Sequence, residues 1–212
     1  CEEVLRHKSK DFQVACWYTE AMTRLQGFSG LSLGLNVLNG LITDFWEFAY
    51  PELNPGDLEE RIGKFEWLDT QLPNVLRDVP MTSDASGAYS WRQWEESRAI
   101  ENLGVRDPDA KAAALAEGKL SAELFDKAAD ASGPQFYADL VAELRAVEVA
   151  QAQLEQHMAQ AFGADAPSLR QLRETVAACS DLAQKLAQRT GAKPAAVAKT
   201  LIPTPAAQPA TA

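Results

Sequence analysis

Apolar side chains recur at steps of three and four along most of the chain, and no stretch sustains an alternation of period two. That spacing puts the apolar positions on one face of a helix and predicts an all-α protein. The strongest stripe is Leu31, Leu35, Leu38, Ile42, Phe45 and Ala49, with Asn36, Asn39, Thr43 and Glu47 on the opposite face. Pro51 is positioned to stop this helix. A helix over residues 11–25 precedes it. Ser9 or Asp11 is placed to accept from its free first-turn amides, and Gly27 to form a left-handed C-terminal cap.

Asp57 and Glu60 have the spacing of a capping box, opening a helix whose stripe is Ile62, Phe65 and Leu68 and whose bound is Pro73. Prolines, serines and Gly87 make residues 73–90 a long loop. A short helix carrying Trp91, Trp94 and Ile100 follows, then two more over 108–117 and 121–131. From Pro134 the steps alternate four and three through Leu140, Leu144, Val147, Gln151, Leu154 and Met158, the pattern of a heptad seam. Leu169, Leu172, Val176, Cys179, Ala183 and Leu186 repeat it after a turn at 163–167, where Pro167 suits a first helical turn. Two long helices so closely joined predict an antiparallel hairpin. The expected architecture is therefore a multi-helix bundle over residues 1–131 with a helical hairpin, 132–190, packed on it. Residues 191–212 reduce to Ala, Pro and Thr with few large side chains, and read as a linker. Cys1 stands in what reads as mid-helix, so a fragment or processed chain is expected, with a further domain beyond the linker.

Composition narrows the function. Among 212 residues, 30 acidic side chains outnumber 20 basic ones, a formal charge of −10 that repels phosphate. Nucleic acid and anionic membrane are poor partners for such a surface. Residues 25–43 are free of charge, but Gln26, Ser29, Ser32, Asn36, Asn39 and Thr43 interrupt them, so a buried helix is expected and not a membrane span. Cys1, Cys16 and Cys179 are odd in number and far apart, which fits reduced thiols and a cytosolic setting.

Catalytic, metal-binding and cofactor-binding constellations are not expected. Gly27-Phe28-Ser29-Gly30-Leu31 fails the nucleophile-elbow pattern, which also needs a strand before its serine. Gly30 and Gly34 instead have the spacing that lets two helices approach closely. His157 has no second histidine or cysteine at ligand spacing, and the pairs Glu2-Glu3, Glu59-Glu60 and Glu95-Glu96 read as solvated faces. Five tryptophans, Trp17, Trp46, Trp67, Trp91 and Trp94, lie in the first half of the chain and are mostly expected in the core. Trp91 and Trp94, beside the polar loop, are the expected protein-binding anchors, since aromatics dominate interface hot spots.

Several motifs together resemble the N-terminal domain of the ImpA/TssA family, a component of bacterial type VI secretion systems. They are Ser9, Lys10, Asp11 and Phe12; Tyr18 to Met22 with Glu20; Gly27 to Leu31; Gly34, Leu35 and Leu38; Phe45 with Trp46; Tyr50 with Pro51. Arg61, Phe65, Trp67 and Leu68, then Ser90 with Trp91, and Phe162 to Leu169 complete the likeness, over about residues 1–190. Phe12 and Phe28 depart from the family's usual leucine. The resemblance implies a non-enzymatic cytoplasmic scaffold that helps couple membrane complex and baseplate to tail tube and sheath, oligomerising through a separate C-terminal domain. The implied partners are sheath, tube, baseplate and membrane-complex proteins. A sheath-capping accessory protein sharing the domain is an alternative; from other classes, so are a carboxylate-using helical enzyme and a small-ligand-binding bundle. Read physically, Ser9 and Asp11 cap, Gly27 terminates, Gly30 and Gly34 pack, and Trp46 and Trp67 fill the core. Lys10, Glu20 and Arg61 form an internal ion-pair group or mark a docking face.

Overall fold

The computed structural model describes residues 1–54 and 57–192; most of the expected linker lies outside the described residues. Those residues form seven α-helices and two short 3-10 turns, with no strand among them: α1 (Glu2–His7), α2 (Phe12–Phe45), α3 (Glu59–Leu76), α4 (Trp91–Arg106), α5 (Pro108–Ala116), α6 (Ala122–Phe162) and α7 (Arg170–Thr190). The fold is all-α.

Helix α2 is two helices joined through Gly27, whose φ of 61° and ψ of −135° break the helical course. A side chain disfavours such a backbone, which is why glycine stands there. Residues 12–26 and 28–45 fold back on each other as an antiparallel hairpin with this single residue as its corner. A Cβ added to Gly30 would lie 2.0 Å from the Met22 carbonyl oxygen, and one on Gly34 would lie 2.6 Å from the Thr19 Cα. Between the arms, the buried hydroxyls of Thr19 and Thr23 donate to carbonyls one turn back in their own helix, at 2.8 and 2.7 Å. Backbone pairing clasps the open end: Phe12 N–H donates to the Tyr50 carbonyl at 2.9 Å, and Tyr50 N–H to the Lys10 carbonyl at 2.7 Å.

Local expectations fail at several ends. Asp11 alone caps residues 12–26, its carboxylate accepting from Gln13 and Val14 N–H at 2.7 and 3.1 Å, and no cap bond comes from Ser9. The second arm ends at Phe45, before Pro51, because the chain turns to make the clasp. Asn39 is not on a solvent face. It is buried, donating to the Ala150 carbonyl of α6 at 3.1 Å and meeting His157 Nδ1 at 2.9 Å. No capping box forms at Asp57, whose carboxylate accepts from Glu59 N–H at 3.2 Å. The box is at Ser90 and Gln93, opening α4.

Pro73 lies inside α3, buried in its last turn, and does not bound the helix. Proline cannot donate to Asp69 one turn back. The Asp69 carboxylate faces away from α3's own ladder and accepts from Gln171 and Leu172 N–H at 3.3 and 2.8 Å. It thus satisfies the start of α7, which has no cap of its own and begins after Pro167. A carboxylate there also suits the positive end of the helix dipole.

Helix α6, like α2, is two helices joined through one glycine: Gly133, with φ 79° and ψ 167°, ends the short helix expected over 121–131, and the long one starts at Pro134. Every position of the two heptad-spaced stripes is buried, and α6 and α7 run antiparallel, linked by Arg173 to Glu155 at 2.9 Å and Arg189 to Asp130 at 2.6 Å. One apolar cluster joins this pair to the α2 hairpin and α3. At its centre Phe12 and Phe65 lie 5.5 Å apart, and Phe162 meets Phe65 edge-on at 5.6 Å.

Cys16 and Cys179 are buried in this cluster, whereas Cys1 is exposed. Burial pushes both core thiols up, Cys179 to about 12 and Cys16 further. Since the thiolate is the reactive form, a disulfide-exchange reagent should titrate Cys1 alone in the native protein and all three thiols in urea. Rapid native reaction of a second thiol would contradict this packing.

Candidate docking surface

The family-motif residues divide into corner, core and clasp. Arg61 is the centre of the clasp. It projects from the first turn of α3, is 1% exposed, and faces a turn of chain that has left α2 and whose carbonyls have no helical amide partners. Its guanidinium donates to the carbonyls of Pro51 and Trp46 at 2.8 Å each, and to that of Ala49. It also stacks over the Trp46 ring at 4.5 Å and near Phe12 at 5.5 Å. Burial lowers its pKa, while nearby Glu47 acts the other way; a guanidinium stays charged through such a shift. The planar fork matches three converging carbonyls as a single ammonium would not.

Lys10, Glu20 and Arg61 therefore do not form one ion-pair group. The Lys10 ammonium closes the end of α1 on the Leu5 and Arg6 carbonyls and covers the Phe45 ring at 5.1 Å. Glu20 pairs along its own helix with Arg24 at 2.8 Å. Trp46 and Trp67 are half-buried at the edge of the core and do not fill it. Trp46 packs on Phe162 edge-on at 4.9 Å.

The expected anchor pair is placed differently. Trp91 is buried, 9% exposed, with the Arg77 guanidinium 5.4 Å above its ring and Trp94 at 6.0 Å; only Trp94 is half-exposed. The capping box at Ser90 turns Trp91 inward at the first position of α4, which the loop composition did not reveal. Solvent instead meets Trp17, 50% exposed, and the aromatics of the turn after α2: Phe45, Phe48 and Tyr50. Phe48 and Tyr50 lie past Phe45, where the helix ends before its apolar stripe does, and no signal in the sequence marks that exit.

Groups capable of chemistry lie apart. Ser29 is exposed and its hydroxyl donates to the Gln26 carbonyl at 2.8 Å. His157 is held by Asn39. The carboxylates of Glu2, Glu3, Glu59, Glu60, Glu95 and Glu96 are all exposed. Glu143, half-buried beside an open cleft at the Gly27 corner, is the carboxylate raised by burial, with Asp139 adding to the effect. Among the described residues no group of three His, Cys, Asp or Glu side chains is placed to hold a metal ion, and no helix is long and apolar enough to cross a membrane.

With this geometry in view, two comparisons place the chain. The family described as ImpA, N-terminal, type VI secretion system matches residues 1–70, the segment that holds the α2 hairpin, the clasp and Arg61. Among solved structures, the chain is similar to the N-terminal domain, including the conserved ImpA_N region, of the TssA component of the type VI secretion system from Burkholderia cenocepacia. Identity is 34% and the TM-score 0.84, covering 90% of this chain and 76% of that one. Among curated proteins none matches. The clasped α2 hairpin, the α6–α7 pair and the single core between them are thus those of a type VI secretion component, and the chain belongs to the TssA N-terminal domain family.

Proposed function

We propose that this domain is a non-enzymatic scaffold and docking domain, which helps couple the membrane complex and baseplate of a type VI secretion system to assembly of its tail tube and sheath. The observation that carries the reading is the structural match to a TssA N-terminal domain over 90% of the chain. The dispersal of Ser29, His157 and the carboxylate pairs supports a binding role over a catalytic one. The setting proposed is the bacterial cytoplasm, with recruitment to the membrane-anchored apparatus and oligomerisation through a separate C-terminal domain.

The test is direct binding of the full-length protein to purified sheath, tube, baseplate and membrane-complex proteins of the same system. At least one should bind with micromolar or tighter affinity, about −8 kcal/mol. Binding to none of them would overturn the docking role.

A further inference from the structure

Resting on the docking reading above, we propose that the turn over residues 44–52 is the surface that docks. Its occupant is a partner protein that presents an apolar pocket rimmed by lysine or arginine.

Within this turn Phe48 is 79% exposed, Tyr50 49% and Phe45 37%. Single exposed apolar residues are ordinary, but three aromatics within six positions are a cluster of the kind found at interfaces. The turn is also held still. Arg61 fixes the carbonyls of Trp46, Ala49 and Pro51 from below, and the paired backbone of Tyr50 ties it to Lys10 and Phe12. An aromatic knob fixed in advance loses little conformational entropy on binding.

Charge identifies the occupant. From residue 25 to residue 60 the chain carries Asp44, Glu47, Glu52, Asp57, Glu59 and Glu60 and not one lysine or arginine. Asp44, Glu47 and Glu52 are exposed around the three aromatics. Lys10 covers the Phe45 ring at 5.1 Å, one ammonium against three exposed carboxylates and already held by the Leu5 and Arg6 carbonyls, and Arg61 points inward. The knob is therefore apolar at its tip and negative at its rim. Phosphate-bearing partners are repelled, and so is a second copy of this chain, whose own charge is −10. A pocket with a basic rim answers both features, steering by charge and holding by burial.

The experiment measures the affinity of the full-length protein for whichever purified secretion component it binds, at about 0.05 and 0.5 M salt. Phe48→Ala should weaken binding tenfold or more, as loss of an aromatic hot spot does. Its exposure means that the melting temperature should hold. The double variant Asp44→Lys with Glu52→Lys should weaken binding at low salt at least as much, and should abolish the salt dependence. Val105→Ala, an equally exposed apolar site on α4, should bind as the parent does. If the parent binds while Phe48→Ala and the charge-reversed variant bind equally well, the surface assignment fails and the docking role stands. If the parent binds no component, both fail.

Discussion

Replacing Arg61 by Ala is expected to lower the unfolding free energy by about 3–5 kcal/mol, the loss of three hydrogen bonds from one charged donor. Three carbonyls, those of Trp46, Ala49 and Pro51, would lose their donor, the Ala49 bond being buried and the other two partly so. Each buried acceptor left unsatisfied costs about 1–3 kcal/mol. The guanidinium's packing on Trp46 and Phe12 would vanish with it. For a chain of this size that loss amounts to a fall in Tm of about 6–20 °C. Against a total stability of about 5–15 kcal/mol, the variant would sit near the threshold of folding. Arg61→Lys should rescue less than half, because one ammonium cannot reproduce three bonds in a planar fork. Urea denaturation measures both. A shift under about 1 kcal/mol for the alanine variant would mean that the turn carries its own carbonyl partners and needs no guanidinium.

Gly30→Ala is expected to cost about 2–4 kcal/mol, at or above the usual range for overpacking, although alanine is the better helix former by about 1 kcal/mol. The added carbon would sit 2.0 Å from the Met22 oxygen and 2.5 Å from its carbonyl carbon. Both are backbone atoms, so no side chain can swing aside. The arms of the α2 hairpin must separate, and Gly34 against Thr19 must open with them. Gly40→Ala supplies the contrast within the same helix, since a Cβ there meets nothing within 4 Å and the backbone is helical. It should stabilise by about 0.5–1 kcal/mol. Thermal unfolding of the two variants, side by side, separates close approach from helix propensity. Equal effects of one sign would show that the arms do not touch at Gly30.

The helical elements were legible because their signals are local. The stripes of α6 and α7 are periodic over five turns, and every predicted seam residue is buried. Gly27 announced a break, and Gly30 with Gly34 announced a close approach. The sharpness of the corner was not legible, because a glycine that ends one helix and a glycine that reverses the chain look the same in sequence. Long-range polar partners were equally hidden. Asp69 and Leu172 are 103 positions apart, and Asn39 and His157 are 118 apart, so no spacing rule links them. Arg61 was singled out, but its acceptors are backbone carbonyls, which carry no residue signature at all. The aromatic turn was misread for a related reason. Its place beside a polar loop marked Trp91 as an exposed anchor, yet the capping box at Ser90 turns it inward, while the exit of the chain from α2 at Phe45 puts Phe48 outside.

The carboxylate of Asp69 also bears on how the family's shared segment can be inherited. That segment ends at residue 70, in mid-helix and one residue past a side chain whose hydrogen-bonding partners are amides of α7. Phe65 likewise packs on Phe162, and Asn39 on Ala150, both supplied from the far half of the chain. Residues 1–70, the span that the family model matches, are therefore not by themselves a unit of folding. A lineage that keeps this segment while exchanging the helices downstream of it must bring a new helix start to the same carboxylate, or let position 69 drift to an apolar residue along with its lost partner.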